Sequence, residues 1–244
     1  MGGSLFDELN QYWAEIADSR ATQEETQFIE KSVQSKGRIL DLCCGTARHS
    51  ILLWNRGWPV LGLDISPNLL TIARERTKER GAAFPLVRGD MTRLPFQSGI
   101  FAAVINMFTS FGYLPSERED MKSLREIART LEPRGLFLLD VVNREHLLAA
   151  FKKKDWGEFA SFYMLEKRAL EAEGSKLHSE WTLVDKHSGK VERFHHNLRL
   201  YTLPQLENMV TQAGLTPLRI YGDYDGHAFQ QDSRRLILLA RRAP

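Results

Sequence analysis

A chain of 244 residues with 43% hydrophobic and 26% charged side chains has the make-up of a soluble globular protein that can bury one substantial core. Its 33 basic and 31 acidic residues leave a net charge of +2, which gives no electrostatic case for nucleic acid or anionic lipid as a partner. The longest apolar runs, around Gly135–Val142 and Leu236–Ala240, fall well short of the ~20 residues that span a bilayer, and Met1–Glu8 lacks the basic region and apolar core of a secretory signal.

The first 36 residues read as a helical segment. Within it, an acidic start at Gln23-Glu24-Glu25 precedes Phe28, Ile29 and Val33 at helical spacing, predicting a helix over 22–35. From there the pattern alternates: strand 38–44, helix 47–56, strand 58–64, helix 66–79, strand 84–88, strand 100–107, helix 117–131 and strand 135–142. This is the βα rhythm of an α/β fold with a parallel sheet. Gly57 stops one helix, Ser66-Pro67 starts the next with an N-cap and a proline at its first position, and Pro133 with Gly135 ends a third.

Residues 145–201 break the rhythm. Phe159–Leu165, Leu177–Val184 and Val191–Tyr201 are rich in aromatic and β-branched residues, and 185–190 (DKHSGK) is a hairpin signal. They predict an inserted antiparallel β cap. The α/β pattern resumes with a helix from Thr202-Leu203-Pro204 to Ala213, then strands at 217–224 and 234–241. The whole of 1–244 is expected to form one domain carrying this lobe.

Ligands of open parallel sheets bind at the carboxyl ends of the strands, so the residues found there matter most. The first strand delivers Asp41 and the small-residue turn Cys43-Cys44-Gly45-Thr46-Ala47. A carboxylate at that point repels a pyrophosphate but attracts an ammonium or sulfonium, by roughly 1 to 4 kcal/mol at about 4 Å. The second strand delivers Asp64 and Ile65; Asp64 lies 64 − 41 = 23 residues on, where an acid binds ribose hydroxyls. Asp90 and Met91 follow the third, suited to an adenine amino group and ring face. The fourth ends in Asn106-Met107 and runs on to Tyr113. The two adjacent thiols of Cys43 and Cys44 are ill placed to bridge each other and too few for a closed zinc site, so reduced cysteines, no metal and a cytoplasmic location are expected.

With Ile39–Ala47, Asp64, Asp90 and the run from Asn106 in place, the chain resembles the class I S-adenosylmethionine-dependent methyltransferases over about 38–142 and again over 203–241. It is similar to small-molecule members with an antiparallel cap after the fifth strand, among them sugar-amine N-methyltransferases. The resemblance implies a Rossmann-like seven-stranded sheet, helices on both faces, the last strand antiparallel, and S-adenosylmethionine as cofactor. It also implies an N-terminal tyrosine, here Tyr12, over the methionine portion. One departure is visible: three alternating glycines of the family's first motif read Cys43, Gly45 and Ala47. The small side chains keep the turn if neither replaced position needs a positive φ.

Methyl transfer from a sulfonium is an in-line displacement that depends on holding a deprotonated nucleophile in line, and a general base is optional. Tyr113 and His195 are the catalytic candidates, with His196 and Tyr201 alike by residue type. Adjacent histidines on a strand face opposite ways, so at most one reaches a pocket. Phe111, Asn143, Arg144, Arg199 and Tyr201 are candidate substrate contacts, Arg199 for a carboxylate or phosphate; Asp140 suits a buried hydrogen-bonding role instead. The expected partner is a small molecule, and the chain a monomer or homodimer. The alternatives are methylation of RNA or protein, and a non-catalytic cofactor-binding regulatory subunit.

Overall fold

The computed structural model describes residues 5–18, 22–34 and 37–244; the parts of the expected helical segment and of the N-terminal signal reading that fall on 1–4, 19–21 and 35–36 lie outside them. In chain order the elements are α1 (Leu5–Asp18), α2 (Thr22–Val33), β1 (Ile39–Leu42), α3 (Arg48–Asn55), β2 (Val60–Asp64), α4 (Pro67–Glu79), β3 (Leu86–Arg88), β4 (Phe101–Asn106), α5 (Glu117–Thr130) and β5 (Leu131–Val142). There follow α6 (Arg144–Ala149), β6 (Lys154–Glu158), β7 (Phe162–Leu170), β8 (Lys176–Asp185), β9 (Val191–Arg199), α7 (Leu203–Gln212), β10 (Leu215–Tyr221) and β11 (Arg235–Arg242).

Seven strands form one sheet in the order β10-β11-β5-β4-β1-β2-β3, with β11 antiparallel to both neighbours and β1 to β5 parallel. β1, β2 and β4 are buried at every position, as strands covered on both faces require. Their side chains divide by the two-residue period of a strand. Leu40, Leu42 and Val104 pack with Leu124 and Ile127 of α5 and Leu206 and Met209 of α7. Ile39, Ala103 and Ile105 pack on the other face with Phe28 and Ile29 of α2 and Leu53 of α3.

Helix starts follow the local chemistry. The Leu69 amide donates to the Ser66 hydroxyl at 3.1 Å, with Pro67 opening α4, and Thr202 and Gln205 form a reciprocal capping box on α7. The chain steps outward in opposite directions from β1, to β2 on one side and β4 on the other. That switch point opens a crevice at their carboxyl ends.

The insertion is a four-stranded antiparallel sheet, β6-β7-β8-β9. Two of its features go beyond the sequence reading. A short helix, α6, precedes it, and an exposed first strand, β6, lies ahead of Phe159, where the first cap strand was expected to begin; Phe159 instead closes the β6–β7 turn through its amide to Phe162 O at 2.9 Å. β6 is short, polar and open to solvent, so it lacks the apolar alternation by which strands are read.

Candidate active site

β1 runs into a turn in which Cys43, Gly45 and Ala47 have φ of +62°, +55° and +61°. The two replaced positions therefore do need the left-handed conformation, contrary to the condition under which cysteine and alanine would keep the turn without cost. For a residue with a Cβ this costs roughly 1–2 kcal/mol, and neighbouring bonds hold the loop there. The Gly45 amide donates to Asp64 Oδ2 at 2.8 Å, the Cys44 amide to Leu63 O at 3.0 Å and the Ala47 amide to Cys44 O at 2.9 Å. The Cys44 side chain fills the space over Gly62, where a Cβ would stand 2.9 Å from its Sγ. Burial, reinforced by the nearby carboxylates of Asp41 and Asp64, pushes both thiols well above their usual range. They are neutral and poorly suited to nucleophilic or metal-binding roles.

Asp41 is buried and accepts a hydrogen bond from the Ser50 hydroxyl. Asp64, also buried, accepts from the amides of Gly45 at 2.8 Å and Ser66 at 2.9 Å. Burial raises the pKa of both carboxyls, against the hydrogen bonds that pull them down. Two desolvated acids on adjacent strand ends are an environment that a cationic ligand relieves. Asp90, exposed at the end of β3, accepts from the Thr92 amide at 2.7 Å. Asp41, Asp64, Asp90, Cys43 through Thr46, Ile65, Met91 and Met107 all line one cavity of ≈ 450 Å³.

Two further groups at this end bear on the cavity. Arg48 lines the cavity; its Nη1 donates to Thr22 Oγ1 at 2.9 Å and to the Glu25 carboxylate, and its guanidinium lies 5.3 Å from the Phe108 ring centroid. Its Nη2 is buried with no hydrogen-bond partner among the described residues, an orphaned donor that a ligand carboxylate would satisfy. Trp13 of α1 reaches Gly45, its Nε1 standing 3.7 Å from where a Cβ would be, and packs on Phe6 and Phe108 at 4.8 and 5.8 Å between ring centroids.

Tyr12 does not take the place expected of it. Its hydroxyl donates to Glu192 Oε2 at 3.0 Å and its ring meets Phe162 at 5.0 Å, tying α1 to the cap, and it does not line the cavity. Neighbours on a helix point about 100° apart, so the face that seats Tyr12 on the cap sends Trp13 to the crevice. Asn106 is likewise displaced from the expected role: it is buried behind the lining residues, where its Nδ2 donates to Leu42 O at 2.9 Å and braces β4 against β1.

The segment after β4 forms the floor. Phe108 and Thr109 are both left-handed, at φ +59° and +58°, and Asp140 anchors them. This fully buried carboxylate accepts from the Phe108 amide at 2.8 Å, the Tyr224 hydroxyl at 2.8 Å and Arg235 Nε at 2.7 Å, as its expected role required. Gly112 has φ +103°, and a Cβ there would lie 2.5 Å from Arg199 O; its carbonyl accepts the Arg199 amide at 2.9 Å. This contact joins floor to cap. Gly112→Ala is expected to lower unfolding free energy by roughly 2 kcal/mol or more in denaturant titration; an unchanged midpoint would show that the junction yields freely.

Four of the five expected substrate contacts are structural. Phe111 and Tyr201 are buried against each other, with the Tyr201 hydroxyl donating to Asp120 at 2.7 Å. Asn143 caps α6 and donates to Gln231 O and Ser233 O, and Arg144 bonds Glu145, Glu173 and Gly174. None of these four lines the cavity: Phe111 and Tyr201 belong to the core packed with α5 and α7, and the loop between β10 and β11 holds Asn143 at the end of β5. Arg199 does line it, with its guanidinium ion-paired to the fully buried Asp120.

The cap contributes the histidines, and their order is reversed from expectation. Along β9 the buried positions are Phe194, His196 and Leu198. His195 lies at the cavity rim with its side chain 70% exposed, 4.0 Å from Glu180. His196 is buried, its ring 4.5 Å from Trp181 and 5.9 Å from Tyr113, with Nδ1 unpartnered among the described residues. Burial, and secondarily His195, push its pKa down to about 4, so its imidazole is neutral at physiological pH. Tyr113 lines the same wall; burial and then Glu166 raise its hydroxyl, which stays protonated.

A carboxylate-lined crevice at the switch point of a seven-stranded sheet, closed by a cap, defines a class I methyltransferase fold. Comparison with known proteins agrees. Residues 39–135 match the family described as "Methyltransferase domain". The uncharacterized methyltransferase YodH of Bacillus subtilis is 30% identical over 176 residues, covering 71% of this chain and 69% of its own. The putative methyltransferase YqeM of the same organism is 28% identical over 223 residues, covering 89% of each. Among solved structures, the amino pentose methyltransferase CalS10 of Micromonospora echinaspora superposes with a TM-score of 0.66 at 20% identity, over 99% of this chain and 93% of that one.

The chain belongs to the S-adenosylmethionine-dependent methyltransferase family.

Proposed function

We propose that this chain transfers a methyl group from S-adenosylmethionine to a nitrogen or oxygen of a small molecule bound between the crevice and the cap. The observation that carries this reading is one cavity shared by the three strand-end carboxylates and by His196 and Tyr113. Asp41 and the orphaned Arg48 Nη2 suit the ammonium and carboxylate of the methionine portion, Asp64 the ribose hydroxyls, and Asp90 with Met91 the adenine. When bound, the cofactor supplies an electrophilic methyl group on a sulfonium.

The chain's own residues supply position and proton handling. Phe6, Trp13 and Tyr113, all lining the cavity, offer ring faces to a cation and exclude water. Neutral His196 can accept a hydrogen bond from the acceptor's N–H or O–H, turning a lone pair toward the methyl carbon and taking the proton as the bond forms. Its partner Tyr113 remains a neutral donor. α1 and the cap cover the site, which favours a small acceptor over a folded RNA or protein.

Two measurements test this. Asp64→Ala is expected to weaken S-adenosylmethionine binding by about 10- to 100-fold, the equivalent of roughly 1–3 kcal/mol for charged hydrogen bonds; an unchanged dissociation constant would remove Asp64 from the ribose. Incubation with methyl-labelled cofactor and separate pools of metabolites, RNA and protein should place the label in the metabolites. Label in RNA or protein, or tight cofactor binding with no label anywhere, would overturn the small-molecule reading.

A further inference from the structure

We infer that the outer edge of the cap is a self-association surface, and that two copies of this chain join through antiparallel pairing of their β6 strands about a two-fold axis at Trp156. β6 ends the cap sheet, with β7 on one side and, among the described residues, no strand on the other. The Phe159 amide donates to Phe162 O at 2.9 Å and the Arg168 amide to Lys153 O at 2.8 Å. Odd-numbered positions of this segment therefore bond inward to β7, and the alternation of an antiparallel ladder turns the main-chain groups of Lys154, Trp156 and Glu158 toward the open edge.

Those three positions are self-complementary. Antiparallel pairing that sets Trp156 opposite its symmetry mate sets Lys154 opposite Glu158 of the second copy, and Glu158 opposite its Lys154. Each of these is a hydrogen-bonded type of pair, so each exchanges both N–H···O bonds. Opposite charges face each other across the axis, where a protective edge strand would place like charges to repel a second copy. In the free chain the Trp156 amide is held by its neighbour's Asp155 Oδ1 at 3.1 Å, and Glu158 accepts from Lys186 at 2.8 Å. Pairing replaces the first of these and leaves the second in place.

Apolar surface is concentrated on the same face. Trp156 is 68% exposed, and its cross-strand partner Leu165 is 48% exposed, with Tyr163 at 41% beside it. These are three of the six large apolar side chains exposed among the described residues, and a second copy brings Trp156 over Trp156 next to Leu165. The occupant that fits is another copy, because the edge matches its own sequence in both charge and hydrogen-bond parity. A symmetric contact of this kind closes on itself as a dimer.

Sedimentation velocity on the full chain from about 1 to 100 µM tests the surface. The wild type is expected to shift from monomer to dimer across this range. Trp156→Pro removes a donor on the open edge and no β6–β7 bond, and is expected to weaken association at least tenfold while circular dichroism and cofactor binding stay unchanged. Lys154→Glu is expected to do the same, and Lys154→Glu combined with Glu158→Lys to restore it. A wild type that stays monomeric at 100 µM, or a dimer indifferent to both Trp156→Pro and Lys154→Glu, would overturn the inference.

Discussion

Replacing His196 by phenylalanine is expected to lower kcat by about 10²- to 10⁴-fold, the usual range for loss of a positioned base, while the dissociation constant for S-adenosylmethionine stays the same. Phenylalanine fills the slot between Trp181 and Tyr113 that the imidazole now occupies, so the fold should persist. His196 lies on the cap and the cofactor carboxylates on the sheet, which separates the two readouts. If kcat is unchanged, His196 is a core residue and the acceptor is deprotonated by solvent. His195→Ala is the internal comparison: with its side chain 70% exposed, it should leave kcat within a few fold.

The same substitution carries a pH signature. The folded pKa of His196 is about 4 against an ordinary value of 6.5, so between these values the unfolded chain takes up the proton first. Stability from this group is intact above pH 6.5 and is lost as pH falls toward 4, by up to roughly 3 kcal/mol at 1.36 kcal/mol per pKa unit. The buried acids Asp41, Asp64 and Asp120, whose pKa values burial raises, act in the opposite sense. The difference in unfolding free energy between wild type and His196→Phe isolates the histidine: it should change across pH 6.5 to 4, and a flat difference would show that His196 titrates normally.

Glu25→Leu is expected to cost about 3–5 kcal/mol of stability, the usual consequence of leaving buried charge without its partner. Glu25 is 3% exposed and binds both Arg48 and His49, the latter at 2.7 Å. Burial alone would raise its pKa, but hydrogen bonding to His49 and the charge of Arg48 bring it down to about 2. Its stabilisation is therefore complete above pH 4.5 and is lost as pH falls through 2, a window below that of His196. Glu119→Gln, which breaks an exposed 3.6 Å contact to Lys122, should cost under about 1 kcal/mol. Equal effects from the two substitutions would mean that the Glu25 cluster is solvated. The cluster also matters to the site, because it fixes Arg48, which lines the cavity.

The parts of this molecule legible in the sequence are those with a short period. Buried strands declare themselves as continuous apolar runs, and the acids Asp41, Asp64 and Asp90 stand at the ends of successive strands, so their convergence follows from the βα rhythm. What escaped depended on phase or on distant partners. Nothing local distinguishes Tyr12 from Trp13; the helix faces are assigned by Glu192, 180 residues away. The choice between His195 and His196 is one of strand parity, fixed by the β8–β9 register and by the Arg199 amide bonding Gly112. Arg48 has no local mark in the sequence, because its partner Glu25 lies 23 residues away. Asn143 and Arg144 lie off the cavity, because the strand-end rule does not foresee which ends a later loop will cover. The left-handed angles of Cys43 and Ala47 carried no residue signal at all, since glycine is the usual sign of such positions.

The three strand-end acids and the turn between Cys43 and Ala47 are expected to form a working cofactor site despite the loss of two glycines. Calorimetric titration of the wild-type chain with S-adenosylhomocysteine tests it most directly. The expected result is saturable one-to-one binding that S-adenosylmethionine competes for; no heat from a folded sample at millimolar ligand would contradict it.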